Sequence, residues 1–182
     1  MTMMKANTMA QGWAIRPERP EDADAVAALN DDGFGPGRFA KTAYRLREGV
    51  APVAELSFVA EGSGALPGSV RFWPVRVGAD EALLLGPLAV HSGSRGQGIG
   101  LALMTHGIAA ARATGFAAIV LVGDEPYYAR AGFTRLRGVN FPGPVDRTRI
   151  LGLALRKEVA GDIVRARIDD PVCADGAPLG RA

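Results

Sequence analysis

Within this chain of 182 residues, the stretch with the clearest chemistry is Arg95-Gly96-Gln97-Gly98-Ile99-Gly100. It follows an apolar run ending in Leu88-Ala89-Val90 and opens a pattern with helical spacing. Glycines let a backbone approach a ligand closely and take conformations closed to other residues. The first turn of a helix presents unpaired N–H groups and a partial positive charge. A strand that feeds such a turn makes an anion site, and three phosphate-binding patterns compete for it. A P-loop needs Gly-Lys-Ser/Thr, but Gly100 is followed by Leu101-Ala102, so that pattern fails. The dinucleotide fingerprint needs a third glycine where Leu103 stands, so it fits poorly. What remains is Arg-x-x-Gly-x-Gly at Arg95, Gly98 and Gly100, with a plain helix cap as the bland alternative.

Other reactive side chains are sparse. His91, His106 and Cys173 show no metal-ligand spacing, so no metal is expected. His91 reads as a surface residue beside the loop, and His106 falls mid-helix with no visible partner. Glu55, Asp80 and Glu81 are candidate bases, although solvated acids are the simpler reading of each. Asp124 precedes Glu125-Pro126 and is expected to cap a short helix. Arg38, Arg71 and Trp73 are candidates to line a ligand pocket.

These groups need elements to hold them. Trp13 to Arg16 reads as a strand, and Pro20-Glu21-Asp22 opens a helix, with a Gly/Asp-rich loop over 31–37. A second helix is predicted over about 38–48, closed by Gly49. Strand-like runs follow at 55–60, 70–77 and 82–90, with short turns that favour an antiparallel meander. The Gly-rich turn then leads into a helix from about Gly98 to Thr114, with a stripe of Leu101, Met104, Ile108 and Ala111. A buried strand at 117–122, a short helix at 126–131 and strands near Phe133 and at 150–155 complete the order β-α-α-β-β-β-α-β-α-β. Residues 163–168 are expected to add an edge strand. The fold class is α+β, a mixed, mostly antiparallel sheet flanked by helices. The expected layout is a loose start at 1–12, one domain over 13–168 and a tail at 169–182.

Composition narrows the function classes. With 21 basic and 19 acidic residues the net charge is +2, too balanced to make nucleic acid the main partner. No window is apolar enough to span a membrane, and nothing at the start reads as a signal peptide. A single cysteine makes no internal disulfide, which fits a reducing, cytoplasmic setting.

The Arg95–Gly100 motif resembles the acetyl-CoA signature of the GNAT N-acetyltransferases. Tyr128-Ala129-Arg130-Ala131-Gly132-Phe133 is similar to that family's Tyr-x-x-x-Gly-Phe element. Ile15-Arg16-Pro17 with Glu21-Asp22 resembles the way its members begin. The loop Phe34 to Phe39 and the pair Tyr127-Tyr128 resemble the YhbS-like branch. The resemblance runs from about Ala14 to Leu155. Leu121 stands where the family usually has Asn, and Ser92 where proline is common.

The resemblance implies acetyl-CoA as co-substrate, without a metal. It implies that backbone groups of Leu88, Ala89 and Val90 pair with the pantetheine arm. The N–H groups of Arg95, Gly96, Gln97, Gly98, Ile99 and Gly100 are then expected to hold the diphosphate. Tyr128 is expected to stabilise the leaving thiolate, while Tyr127 is read as a core residue. The implied acceptor is an amine, on a small molecule or a protein, attacking the thioester directly. A longer acyl-CoA donor, an alcohol acceptor and a non-catalytic acyl-CoA sensor are the alternatives. The late apolar strand leaves a homodimer open.

Overall fold

The computed structural model describes residues 12–35 and 42–166. Nine strands form one connected sheet. They are β1 Trp13–Pro17, β2 Phe58–Gly62, β3 Gly68–Val77, β4 Asp80–Val90, β5 Ala118–Val122, β6 Thr134–Arg135, β7 Val139–Asn140, β8 Ile150–Ala154 and β9 Gly161–Arg165. Four α-helices accompany them: α1 Ala23–Phe34, α2 Thr42–Arg45, α3 Ile99–Ala111 and α4 Glu125–Tyr128. The main path is β1-β2-β3-β4-β5-β8-β6, antiparallel except where β5 runs parallel to β4.

Period-2 alternation divides the core between the two faces of the sheet. On β4, Leu83 and Leu85 join one cluster while Ala82 and Leu84 join the other. On β5, Ile119 and Leu121 join the first, and Ala118 and Val120 the second. Both strands are covered on both sides, so their sequences read as continuous apolar runs. Helix α3 covers the first face with Leu103, Met104, Ile108 and Ala111, packed with Phe58, Phe72 and Phe116. The opposite cluster gathers Leu46, Val75, Val77, Val139, Ile150 and Ile163.

Two departures from regular pairing shape the centre. Residues Gly86 and Pro87 of β4 stand against Arg71 alone, so the ladder to β3 shifts register between Val70 and Phe72. Such a bulge bends a strand and increases its twist. Strand β5 meets β4 at only two positions, Leu83↔Ile119 and Leu84↔Val120. Beyond Leu84, the side of β4 that faces β5 has no strand beside it.

Several expected elements differ. Residues Ala54–Leu56 form a 3-10 turn, and the strand begins later, at Phe58. Helix α1 continues to Phe34 through the stretch expected to be loop, and ends where Gly35 adopts φ 63. The second helix is described only as Thr42–Arg45, because Leu46 to Gly49 turn away from it. Its expected start, including Arg38, lies outside the described residues, as do Ile168, Cys173 and the tail. Strand β9 is no simple edge, since it pairs with β3 and, in parallel, with β7.

Candidate active site

Strand β4 ends at Val90, and a single 3-10 turn at Ser92–Ser94 carries the chain into the loop before α3. The His91 ring accepts a hydrogen bond from the Gly93 N–H at 3.2 Å, so this histidine shapes the loop. Gly96 and Gly98 have φ 82 and 79, a left-handed conformation that side chains rarely adopt. Nothing crowds the missing Cβ of either residue, so backbone conformation is what calls for glycine there. Gly98 is the N-cap of α3, and the loop up to it is exposed. Gly100 differs: it is buried, and a Cβ there would collide with the Tyr127 hydroxyl.

The space left by the parting of β4 and β5 is a cavity of about 390 Å³. Leu88, Ala89 and Val90 form one wall, and Arg95, Gly96, Ile99 and Gly100 close one end. Phe34, Tyr127 and Tyr128 complete it. Seven of the nine residues expected to bind the donor therefore surround one space. Gln97 and Gly98 lie in the exposed turn and do not line it.

Tyr128 is held from several sides. Backbone N–H groups of Tyr127 and Tyr128 donate to the Asp124 carbonyl at 3.0 and 3.2 Å, which anchors α4 to the end of β5. The Tyr128 ring stands edge-on to Tyr127 at 5.1 Å and to Phe133 at 6.0 Å. Gly123 has no side chain to obstruct that ring. Burial, reinforced by Tyr127 and Asp124, pushes the phenol up to about 12, against the pull of Arg149 and Arg47. The phenol is therefore neutral across the physiological range and keeps a proton that it can donate in a hydrogen bond.

A second cavity, about 450 Å³, opens on the far side of Phe34, Leu88 and Tyr128, which line both spaces. Its walls include Thr42, Tyr44 and Arg47 from α2 and the turn after it, with Asp124, Asp146 and Arg149 opposite. Asp124 sits at the N-cap position of α4, yet its carboxylate makes no cap bond. It meets the Arg149 guanidinium at 3.0 Å instead, which corrects the capping role expected for it. Asp146 accepts from the Thr148 N–H at 2.9 Å and hydroxyl at 2.6 Å, and these bonds hold its carboxyl below the usual range.

The remaining candidates fall elsewhere. Glu55 is exposed on its 3-10 turn, and Asp80 pairs with Lys157 at 2.6 Å at the start of β4. Glu81 is exposed beside it, so none of the three expected bases reaches either cavity. His106 stands edge-on to the Phe58 ring at 4.6 Å, and burial lowers its pKa. Arg71 pairs through Nε and Nη2 with Glu18, Nε to Oε2 at 2.8 Å. Trp73 donates from Nε1 to the Gly86 carbonyl at 2.6 Å. Tyr127, expected in the core, is 36% exposed and part of the first cavity. The sequence signals were the tyrosine doublet for Tyr127 and the family-like loop that begins at Phe34; Arg47 and Arg149 carried none. No group of acids, histidines or cysteines among the described residues could hold a metal ion.

The geometry has counterparts in known proteins. The chain is 37% identical over 122 residues to the uncharacterized N-acetyltransferase YhbS of Escherichia coli K12, a match spanning 65% of this chain and 72% of that one. The chain belongs to the GNAT acetyltransferase family. The model of the GNAT acetyltransferase domain matches residues 54–135, from the turn before β2 to β6. Among solved structures, the Escherichia coli YhbS complex with CoA superposes with a TM-score of 0.69 at 30% identity, over 85% of this chain and 89% of that one. A GNAT acetyltransferase from Brucella melitensis, solved with acetyl-CoA, gives 0.65 at 28% identity, over 87% and 98%. Both share the GNAT sheet, so the expected α+β fold and the YhbS-like resemblance hold.

Proposed function

We propose that this chain transfers the acetyl group of acetyl-CoA to a primary amine, by direct attack of the amine on the thioester. The observation that carries the reading is the cavity between the parted β4 and β5. It has a glycine loop at one end, and Tyr128 at the passage to a second cavity. The CoA and acetyl-CoA bound by the two similar proteins of known structure support the donor. The proposed catalytic unit is a single domain over 13–168, acting in the cytoplasm. Among the described residues no helix is long and apolar enough to cross a membrane.

In this reading the pantetheine arm runs along the unpaired side of β4 at Leu88, Ala89 and Val90. Pro87 has no N–H to offer, so the donors start at Leu88. N–H groups from Arg95 to Gly100 take the diphosphate, where the partial charge at the start of α3 favours an anion. Gly96 and Gly98 hold the loop open for this, and Arg95 adds a full charge. A β4 N–H directed at the thioester carbonyl stabilises the developing oxyanion.

The amine enters through the second cavity past Phe34 and Leu88. Its nitrogen bonds to the acetyl carbon, the carbon–sulfur bond breaks, and the thiolate leaves toward Tyr128. A phenol at about 12 is a weaker acid than a thiol of about 8.5. Tyr128 therefore stabilises the thiolate by a hydrogen bond, and the proton that finally rests on sulfur comes from the attacking nitrogen. The extra proton of the ammonium leaves first, to water in the open second cavity, whose lining includes the carboxylates of Asp124 and Asp146.

Thermal unfolding with and without acetyl-CoA tests the donor. Ligand at about 100 times its dissociation constant should stabilise by roughly 2.7 kcal/mol. The rise should vanish in Gly98→Asp, which places a side chain and a negative charge on the loop. No rise in the parent protein at millimolar acetyl-CoA would return the loop to a simple helix cap.

A further inference from the structure

The second cavity contains a cation that no acid among the described residues neutralises. Arg47 follows α2 and projects its guanidinium under the bulge of β4, where Nη2 lies against Gly86, itself part of the cavity wall. Its Nε and Nη1 are buried and have no hydrogen-bond partner. No carboxylate among the described residues pairs with it. The acids of the same cavity are engaged elsewhere, Asp124 with Arg149 and Asp146 with Thr148. What surrounds Arg47 is aromatic, with the Tyr44 ring 4.7 Å and the Trp73 ring 5.8 Å from the guanidinium carbon. The Trp73 N–H is occupied by the Gly86 carbonyl, so Trp73 offers only its face. Burial depresses the Arg47 pKa to about 10, against smaller opposing contributions from Tyr44 and Tyr128.

A buried cation kept without a counter-charge is costly to a fold, and ring faces compensate only part of that cost. An arginine fork matches the two oxygens of a carboxylate or phosphate. We infer that the acceptor is an amine that also carries an oxyanion, and that Arg47 in the second cavity receives this oxyanion while the amine faces Tyr128. The inference rests on the acetyl-transfer reading for the amine alone; the anion subsite stands on Arg47 and its cavity.

The consequence is selectivity. Amino acids should outrun their carboxamides, and phosphoethanolamine or a carboxylate-bearing amine should outrun ethanolamine and spermidine. The test uses the full chain with a panel of amino acids, their amides, phosphoethanolamine, ethanolamine and spermidine. Two readouts are taken: emission on titration in a Trp13→Phe background, where Trp73 is the one tryptophan and no donor is needed, and thiol release with acetyl-CoA. We expect the best anionic probe to exceed its neutral twin at least about tenfold in both. Arg47→Gln should erase that ratio, and Arg47→Lys should restore part of it through charge without the fork. Carboxylates ahead of phosphoethanolamine, or the reverse, identify the oxyanion.

Equal response to neutral twins would overturn the inference. So would a preference that survives Arg47→Gln, or no response to any anionic probe at millimolar concentration. A large drop in melting temperature for Arg47→Met would also overturn it, because it would make Arg47 a structural cation. Failure of the donor reading looks different: acetyl-CoA then gives no thermal rise while the anion preference in Trp73 emission remains.

Discussion

Two arginines of this protein are withdrawn from water in opposite ways. Arg16, on β1, pairs with Asp22 at 2.6 Å and with Glu61 at 3.0 Å, and the Asp22 carboxylate also accepts the Arg19 N–H at 2.7 Å. This corner ties β1 to the 3-10 turn at Pro20–Asp22 and to β2. Arg47 lies in a cavity wall with aromatic rings and, among the described residues, no anion. A charge that the fold itself neutralises holds elements together. A charge met only by aromatic groups among the described residues is available to a ligand. Mutations at the first place should reduce stability and spare the rate per folded molecule; mutations around the second should do the reverse.

The hardest blow to this contrast comes from Asp22→Ala. It leaves Arg16 partly buried with one partner fewer, and roughly 3 to 5 kcal/mol should be lost in urea unfolding. A loss below about 1 kcal/mol would remove the structural half of the comparison. Next in size is Tyr128→Phe, which keeps the ring and deletes the hydroxyl. Turnover should fall about a hundredfold, near 2.7 kcal/mol, while the acetyl-CoA dissociation constant and the melting temperature hold. Unchanged turnover would take Tyr128 out of the chemistry.

The acid limb of stability sharpens the contrast further. Its bond to Arg16 lowers the Asp22 pKa from 3.8 to about 2, against the effect of burial. A depressed carboxylate stabilises the fold above its unfolded pKa, and the contribution is lost as pH falls through the folded value. Roughly 2 kcal/mol should therefore disappear between about pH 4 and pH 2. In Asp22→Asn this part of the pH dependence should be missing; its persistence would assign the acid limb to other groups. The smallest effect belongs to Arg47→Met, whose stability in urea should lie within about 1 kcal/mol of the parent or above it.

Much of this was legible in the residues. The Arg-x-x-Gly-x-Gly spacing, a strand before it and a helix after it identified the loop. Local conformation suffices there, because Gly96 and Gly98 are glycines for their own φ values. Tyr128 was legible because it sits at a fixed distance from Gly132-Phe133 on one short segment. The continuous apolar run at 117–122 marked a buried strand. Boundaries were less secure, as at Ala54–Leu56, where a strand-like run turns once before it extends.

What only the tertiary structure decided lies between segments distant in the chain. Asp124 has the sequence of a helix cap, yet Arg149, brought alongside by the β5–β8 pairing, takes its carboxylate. Glu55, Asp80 and Glu81 were candidate bases, but Glu55 lies on an exposed 3-10 turn, and Asp80 and Glu81 start β4, whose far end lines the first cavity. Tyr127 looked like core, but the placement of α4 against α3 sets its hydroxyl over Gly100. Arg47 had no signal at all, since nothing local distinguishes a solvated arginine from one folded under a bulge. Sequence fixes the conformation a short segment prefers; the partners of a charge depend on which distant segments the sheet brings together.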